Sequence, residues 1–377
     1  MKIGIIGGSF DPIHNGHLML AEQARVEAGL ARVIFMPAYL SPFKQNASVT
    51  EAEKRLAMVR LAVEGNPFFE VSDMEIRAGE VSYTAQTMRS LIKEMPEQTE
   101  LCFITGADAF LGIEDWNEAE YLLQNISFLA ALRPGFREDE LDRLIQRLGE
   151  NYGTDITKIR CPQVDISSTG IREMLSFGYS PRYLLPDRVL DYIDRQGLYA
   201  PELSDPICAA HIRMRITQYI RENLKPGRYA HTMGVAQEAK TLAERFGADP
   251  AKAELCALFH DACRSAGNLE HGGAAAELME ADYRIKDQDM LDAVRFHTTG
   301  REGMSLLERV LYVADAVEPQ RDYPGVAELR RAAQKDLDLA CLLSMEHTMN
   351  YLRSQGKQIE EHTVRAWNEI KKRRENG

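Results

Sequence analysis

Within its first seventeen residues the chain passes from an apolar run, Lys2 to Ile6, into Gly7-Gly8-Ser9-Phe10-Asp11-Pro12-Ile13-His14-Asn15-Gly16-His17. Two glycines and an acid break the apolar run too soon for a leader peptide, so it reads as a first strand. A helix is expected over residues 17–28, followed by strands at residues 32–36, 69–71, 101–105 and 126–132. Apolar residues recur at helical spacing through residues 51–63 and 83–95. This alternation implies a Rossmann-like α/β domain, a parallel sheet with helices on both faces. On such sheets ligands bind at the carboxyl ends of strands, where Gly7 to His17 and Gly106 to Asp108 fall.

The texture changes near residue 200. Ala200-Pro201-Glu202-Leu203-Ser204-Asp205-Pro206 has two prolines and no periodicity, as a linker does. Beyond it only helical patterns occur, at residues 207–222, 232–246, 251–260, 274–281, 288–296, 306–316, 337–352 and 361–371. We expect two domains: an α/β domain over residues 1–200 and an all-α domain over residues 207–377, joined by residues 201–206. A length of 377 residues suits two cores better than one.

Composition narrows the function classes. A net charge of −12 opposes a broad nucleic-acid surface, which needs a basic face. No apolar run approaches the roughly 18 residues of a membrane span. The six cysteines form no C-x-x-C pair and read as buried, reduced thiols of a cytoplasmic protein. Nothing in the sequence fixes an oligomeric state.

The glycine loop carries phosphate chemistry. Gly7 and Gly8 let backbone approach a phosphate, and a helix opening near Gly16 adds N–H groups and a positive dipole end. His14 and His17 can donate to charge that builds on a leaving group. The loop resembles the H-x-G-H nucleotidyltransferases, and residues 1 to about 199 resemble the bacterial nicotinate-nucleotide adenylyltransferases. The resemblance implies that Gly7, Gly8, Ser9, Phe10, His14 and His17 hold ATP, accompanied by Mg²⁺. Ile166-Ser167-Ser168-Thr169-Gly170-Ile171-Arg172 is similar to the second ATP signature, so Ser167, Ser168, Thr169 and Arg172 are implied to grip its phosphates. An aminoacyl-tRNA synthetase would show a lysine-rich K-M-S-K-S-type loop there.

The resemblance also implies the acceptor, nicotinate mononucleotide. In Ser82-Tyr83-Thr84, Thr84 would meet the nicotinate carboxylate. Asp108 would contact a ribose, Trp116 would stack on the pyridine ring, and Arg133 would meet the phosphate. Pro37 to Lys44 departs from the family's P-x-x-x-P-P-H-K: Ser41 and Phe43 replace a proline and the histidine, while Lys44 remains as a phosphate contact. A different acceptor, such as phosphopantetheine, is the alternative that Thr84, Trp116 and Arg133 oppose.

In the helical half His231, His260-Asp261, His271, His297 and Asp315 form an ordered series. Asp315 interrupts an apolar run, where an acid is costly to bury unless paired or metal-bound. Imidazoles with carboxylates suit transition ions, and two such ions could activate water and neutralise phosphates. The series resembles the HD phosphohydrolases, which implies that His231, His260, Asp261 and Asp315 hold one metal. His271 and His297 would hold a second, bridged by Asp261. Residues 229–368 look like the HD enzymes that split diadenosine tetraphosphate into two ADP. That likeness rests on Phe296-His297-Thr298-Thr299-Gly300 and on Ala314 to Arg321, and implies iron, with manganese as the alternative. Glu318 and Arg321 would orient a ligand or meet a phosphate. Arg264 stands where that family has lysine. A metal-stabilised regulatory module is the alternative. His211, His347 and His362 lie outside the series and read as structural.

Overall fold

A computed structural model describes residues 1–42, 49–132, 138–162, 164–267 and 269–375. One six-stranded sheet is present among them, in the order β3-β2-β1-β4-β5-β6 and parallel throughout. Its strands are β1 (Lys2–Gly8), β2 (Arg32–Pro37), β3 (Phe69–Val71), β4 (Glu100–Gly106), β5 (Ser127–Leu132) and β6 (Ile156–Arg160). Ile3, Ile5 and Ile6 of β1 are all buried, as a central strand covered on both faces requires. The order reverses between β1 and β4, where Ile6 pairs with Ile104. Connections leave the ends of those two strands in opposite directions and open a crevice. Gly7, Gly8 and Thr105 lie at its edge.

The sequence reading names five strands, and the structure adds β6. Ile-Thr-Lys-Ile-Arg buries only Ile159, so this edge strand carries too little alternation to be read. The helix Glu138–Tyr152 before it, buried at Leu141, Leu144 and Leu148, was equally without an expectation. The first helix begins at Asn15, not His17, because His14 occupies its N-cap.

The second region is helical, with nine α-helices from Pro206–Asn223 to Glu361–Glu375 among the described residues. Local chemistry sets their starts. Pro206, Pro226 and Pro250 occupy first-turn positions, where the missing N–H costs nothing. Asp205, Asp249, Asp287 and Asp336 accept backbone N–H groups of the first turns. Pro206 therefore belongs to a helix and not to the linker. Val326–Ala333, eight residues long, is the one of these helices that periodicity did not raise. His231, His260 and His271 are buried beside an apolar core of helix side chains.

Internal contacts divide the chain into two units. The first is Met1–Met174 with Pro181–Tyr199, the second Leu175–Ser180 with Ala200–Gly377. Within the second, Arg215 donates to the carbonyls of Phe177 and Gly178, each at 2.9 Å. All six cysteines are free thiols, four of them buried. No helix among the described residues is long and apolar enough to cross a membrane.

Candidate active sites

In the first unit β1 delivers the chain into the glycine loop, and His14 begins the helix Asn15–Glu27. His17 sits one turn along, its Nδ1 accepting the His14 N–H at 3.3 Å. The two imidazoles stack with centroids 3.7 Å apart and an interplanar angle of 26°. Phe10 is buried and meets His17 edge to face with ring centroids 5.1 Å apart, so its side chain props the histidine. Gly16 explains the spacing between the histidines. A Cβ there would stand 3.0 Å from Nδ1 of His14.

The loop serves two cavities. One, of about 430 Å³, is lined by Gly7, Gly8 and Ser9 together with Thr84, Glu75 and Trp116. The other, of about 240 Å³, is lined by His14, Gly16, His17 and Ser167. Thr84 opens the helix Thr84–Glu94. Trp116 meets Phe103 edge to face at 5.8 Å. Asp108 is exposed on the short helix Ala107–Phe110, and Ala109 and Asp115 line the larger cavity. Lys44 and Arg133 lie outside the described residues.

The second signature fastens the first. Ser168 Oγ donates to the Pro12 carbonyl at 2.9 Å, and Arg172 donates to the Asp11 carbonyl at 2.7 Å and to Thr169 Oγ1 at 3.3 Å. Ser167 Oγ accepts the Gly170 N–H at 3.0 Å. Ser168 and Arg172, expected as phosphate ligands, here hold the loop's backbone in place.

Sequence reasoning missed a second support. Arg55, 2% exposed, donates to the carbonyls of Ser9, Ala38, Tyr39 and Thr50, each at 2.7 Å. Burial pulls its pKa down, opposed by Asp11 and Tyr199. Tyr199 donates to Asp11 Oδ1 at 2.5 Å, and burial followed by the Asp11 charge pushes the phenol well above its ordinary range. The legible signal was an arginine on the apolar stripe of the helix Ala52–Val63, beside Leu56 and Val59.

In the second unit five helices bring the histidine–aspartate series together. His231 lies on Pro226–Phe246, and His260 and Asp261 follow Pro250–Phe259. His271 starts His271–Tyr283, His297 follows Gln288–Phe296, and Asp315 lies on Leu306–Val317. Three groups have ligand atoms within 4.8 Å of one another: His231-His260-Asp261, His260-His297-Asp315 and Asp261-His271-His297. All six expected ligands are therefore assembled, with His260, Asp261 and His297 each shared between two groups.

The donor set fits metal ions. Nδ1 of His260, His271 and His297 faces the carbonyls of Ala257, Gly267 and Val294 at 2.5, 2.9 and 2.7 Å. A proton on Nδ1 satisfies each carbonyl and leaves the Nε2 lone pair pointing inward. Nε2 of His260 is buried without a hydrogen-bond partner, and Nε2 of His271 and His297 are 3.0 Å apart. Lone pairs gathered so closely call for cations between them. Burial holds the His297 pKa down to about 3, so its ring stays neutral. Burial alone would raise Asp261 and Asp315. The facing His271 ring and the Arg228 guanidinium outweigh it at Asp261, and His231 and Arg321 outweigh it at Asp315, so both stay ionised.

Around these ligands Glu318, 1% exposed, faces His231 Nδ1 at 3.0 Å and accepts the Gln320 N–H at 2.9 Å. Arg228 holds Asp261 at 2.8 Å, and Arg321 pairs with Asp315. Arg264 places a guanidinium nitrogen 3.0 Å from His271. A cavity of about 500 Å³ opens on Asp261, His271, His297 and Asp315 beside these three arginines.

Residues 5–174 match the cytidylyltransferase-like family, and residues 228–320 match the HD domain. A probable nicotinate-nucleotide adenylyltransferase of Thermoanaerobacter sp. (strain X514) is 44% identical over 199 residues, which are 53% of this chain and 94% of that protein. The chain belongs to the nicotinate-nucleotide adenylyltransferase family. A second probable nicotinate-nucleotide adenylyltransferase, of Moorella thermoacetica, is 44% identical over 202 residues, covering 54% of this chain and 93% of its own. The crystal structure of a predicted HD superfamily hydrolase involved in NAD metabolism, from Clostridium acetobutylicum, is 35% identical. It covers 43% of this chain and 97% of that one, with a TM-score of 0.40. These adenylyltransferase relatives match about half of the chain, so it joins a family domain to an HD domain.

Proposed function

We propose that the chain carries two enzyme centres. At the first, a phosphate oxygen of nicotinate mononucleotide attacks the α-phosphorus of ATP, the bond to the β-phosphate breaks, and deamido-NAD and pyrophosphate form. The observation that supports this reading is one histidine-bearing loop lining two cavities. His14 and His17 would donate to the charge that develops on the leaving pyrophosphate, at a helix N-terminus that already favours anions. Thr84 and Trp116 would take the nicotinate ring, and Asp108 the ribose. Lys44 and Arg133 are assigned to phosphates by family likeness. Mg²⁺ would enter with ATP, bridging its phosphates.

At the second centre the reading is hydrolysis of diadenosine tetraphosphate: one water is consumed and two ADP leave. The converging Nε2 atoms of His260, His271 and His297 support it. Ions held there, iron or manganese, would supply an activated water and charge for the phosphates. The chain itself would clamp the phosphates with Arg228, Arg264 and Arg321, while Glu318 fixes the His231 ring.

The test mixes the full chain with Mg-ATP and nicotinate mononucleotide, and separately with diadenosine tetraphosphate, and separates the products. Failure to form deamido-NAD sinks the first reading. Full metal occupancy without ADP sinks the second in favour of a regulatory module or another substrate. His17→Ala should abolish deamido-NAD and spare ADP release; loss of both would refute independent centres.

A further inference from the structure

The cavity beside the histidine–aspartate cluster has two chemically different walls. One carries the ligand candidates and the three arginines. The other is a single face of the helix Leu337–Ser354, where Ser344, His347, Thr348 and Tyr351 recur at i, i+3, i+4 and i+7. His347, read from the sequence as structural, is exposed in this wall. Its ring lies 4.8 Å from that of Tyr323 at 36°. Tyr323 is fixed in turn, since its hydroxyl donates to the Ala316 carbonyl at 2.8 Å. Tyr351 leaves a large aromatic side chain 56% exposed beside the same cavity.

A ligand suited to both walls has an anionic chain at one end and a flat aromatic ring at the other. The cavity's volume lies in the range of ordinary small-molecule sites. We infer that this face of the helix Leu337–Ser354 is a nucleobase subsite. His347 and Tyr351 take the ring by stacking, and the phosphates run toward Arg228, Arg264 and Arg321. The inference rests on the phosphohydrolase reading of the cluster and deepens it. Stacking accepts any base, because every base presents a π face. The site therefore selects nucleotides over inorganic polyphosphates while discriminating little among bases.

Photolabelling of the full chain with 8-azido-ADP, followed by peptide mapping, tests this without relying on turnover. A cross-link within residues 337–354 that excess ADP displaces is expected, separate from any label in residues 1–199. Tyr351→Ala should raise the half-saturating concentration for the 337–354 label about five- to a hundred-fold, the usual worth of one stacked base. Tyr351→Phe should restore it, and inorganic pyrophosphate should compete equally well in all three proteins. Label confined to residues 1–199, or a Tyr351→Ala protein with unchanged half-saturation, overturns the subsite. ADP release from diadenosine tetraphosphate without label on residues 337–354 overturns the subsite alone. Label there without ADP release supports the subsite and removes the hydrolase reading instead.

Discussion

Gly272→Ala tests how the second centre is held. Gly272 follows His271 in the helix His271–Tyr283, and its Cα faces the end of Gln288–Phe296. A Cβ there would stand 2.6 Å from the Arg295 carbonyl oxygen and 2.9 Å from that of Val294. Ordinary contact begins near 3.4 Å, and both neighbours are backbone, which cannot rotate away. The two helix ends must therefore part by about 0.8 Å, whereas metal–ligand distances tolerate only about 0.2 Å. His271 rides on one of these helices and His297 on the other, so the Asp261-His271-His297 group should lose its ion. The other expected ion, on His231, His260, Asp261 and Asp315, needs neither His271 nor His297 and should stay bound. Overpacking costs about 1–3 kcal/mol, partly offset by about 0.5–1 kcal/mol from replacing a helical glycine. The protein should therefore fold. Metal analysis of the purified variant should show about half the wild-type content, with ADP release abolished and deamido-NAD synthesis unchanged. A Gly272→Ala protein with wild-type metal content and hydrolysis would refute the argument.

Three further outcomes concern the first unit. Gly16→Ala should press on the buried His14 ring and lower kcat for deamido-NAD about ten-fold, since an ångström of misplacement can cost a hundred-fold; wild-type kcat would show the ring free to yield. Arg55→Met strands four carbonyls, so the urea midpoint of this unit should fall by the equivalent of about 3 kcal/mol or more, while ADP release persists. Burial raises the pKa of Glu75, against the hydroxyls of Thr87 and Ser82. Its contribution to stability is thus complete below the unfolded pKa and lost as pH rises through the folded one. Glu75→Gln should accordingly gain in Tm over the wild type on going from about pH 4 to about pH 8; a constant difference would contradict the sign.

What could be read from the sequence depended on how local the signal was. The alternation of strands and helices and the histidines around Gly16 sit in runs of adjacent or periodic residues, and the six metal-ligand candidates were legible through their order around the adjacent pair His260-Asp261. The packing that makes them work is not local. Arg55 reaches Ser9 and Arg172 reaches Asp11 only once the chain has folded back. Only its place on the apolar stripe marked Arg55 beforehand. Strand β6 was invisible because an edge strand needs only one buried side chain. His347 reads as structural because it lies outside the ordered series, although the face it shares with Ser344, Thr348 and Tyr351 is written at helical spacing.

The six residues Leu175–Ser180 carry a consequence for anyone splitting the gene. They belong by contact to the helical unit, although the chain returns to the other unit before reaching Ala200. A fragment starting at Ala200 would keep Arg215 but lose the two carbonyls it holds. His211 would lose the Phe177 ring stacked on it at 4.4 Å, and Cys208 the Ser176 carbonyl at 3.0 Å. No single cut yields two complete parts, so the two activities are better dissected by point substitutions in the intact polypeptide than by expressing halves.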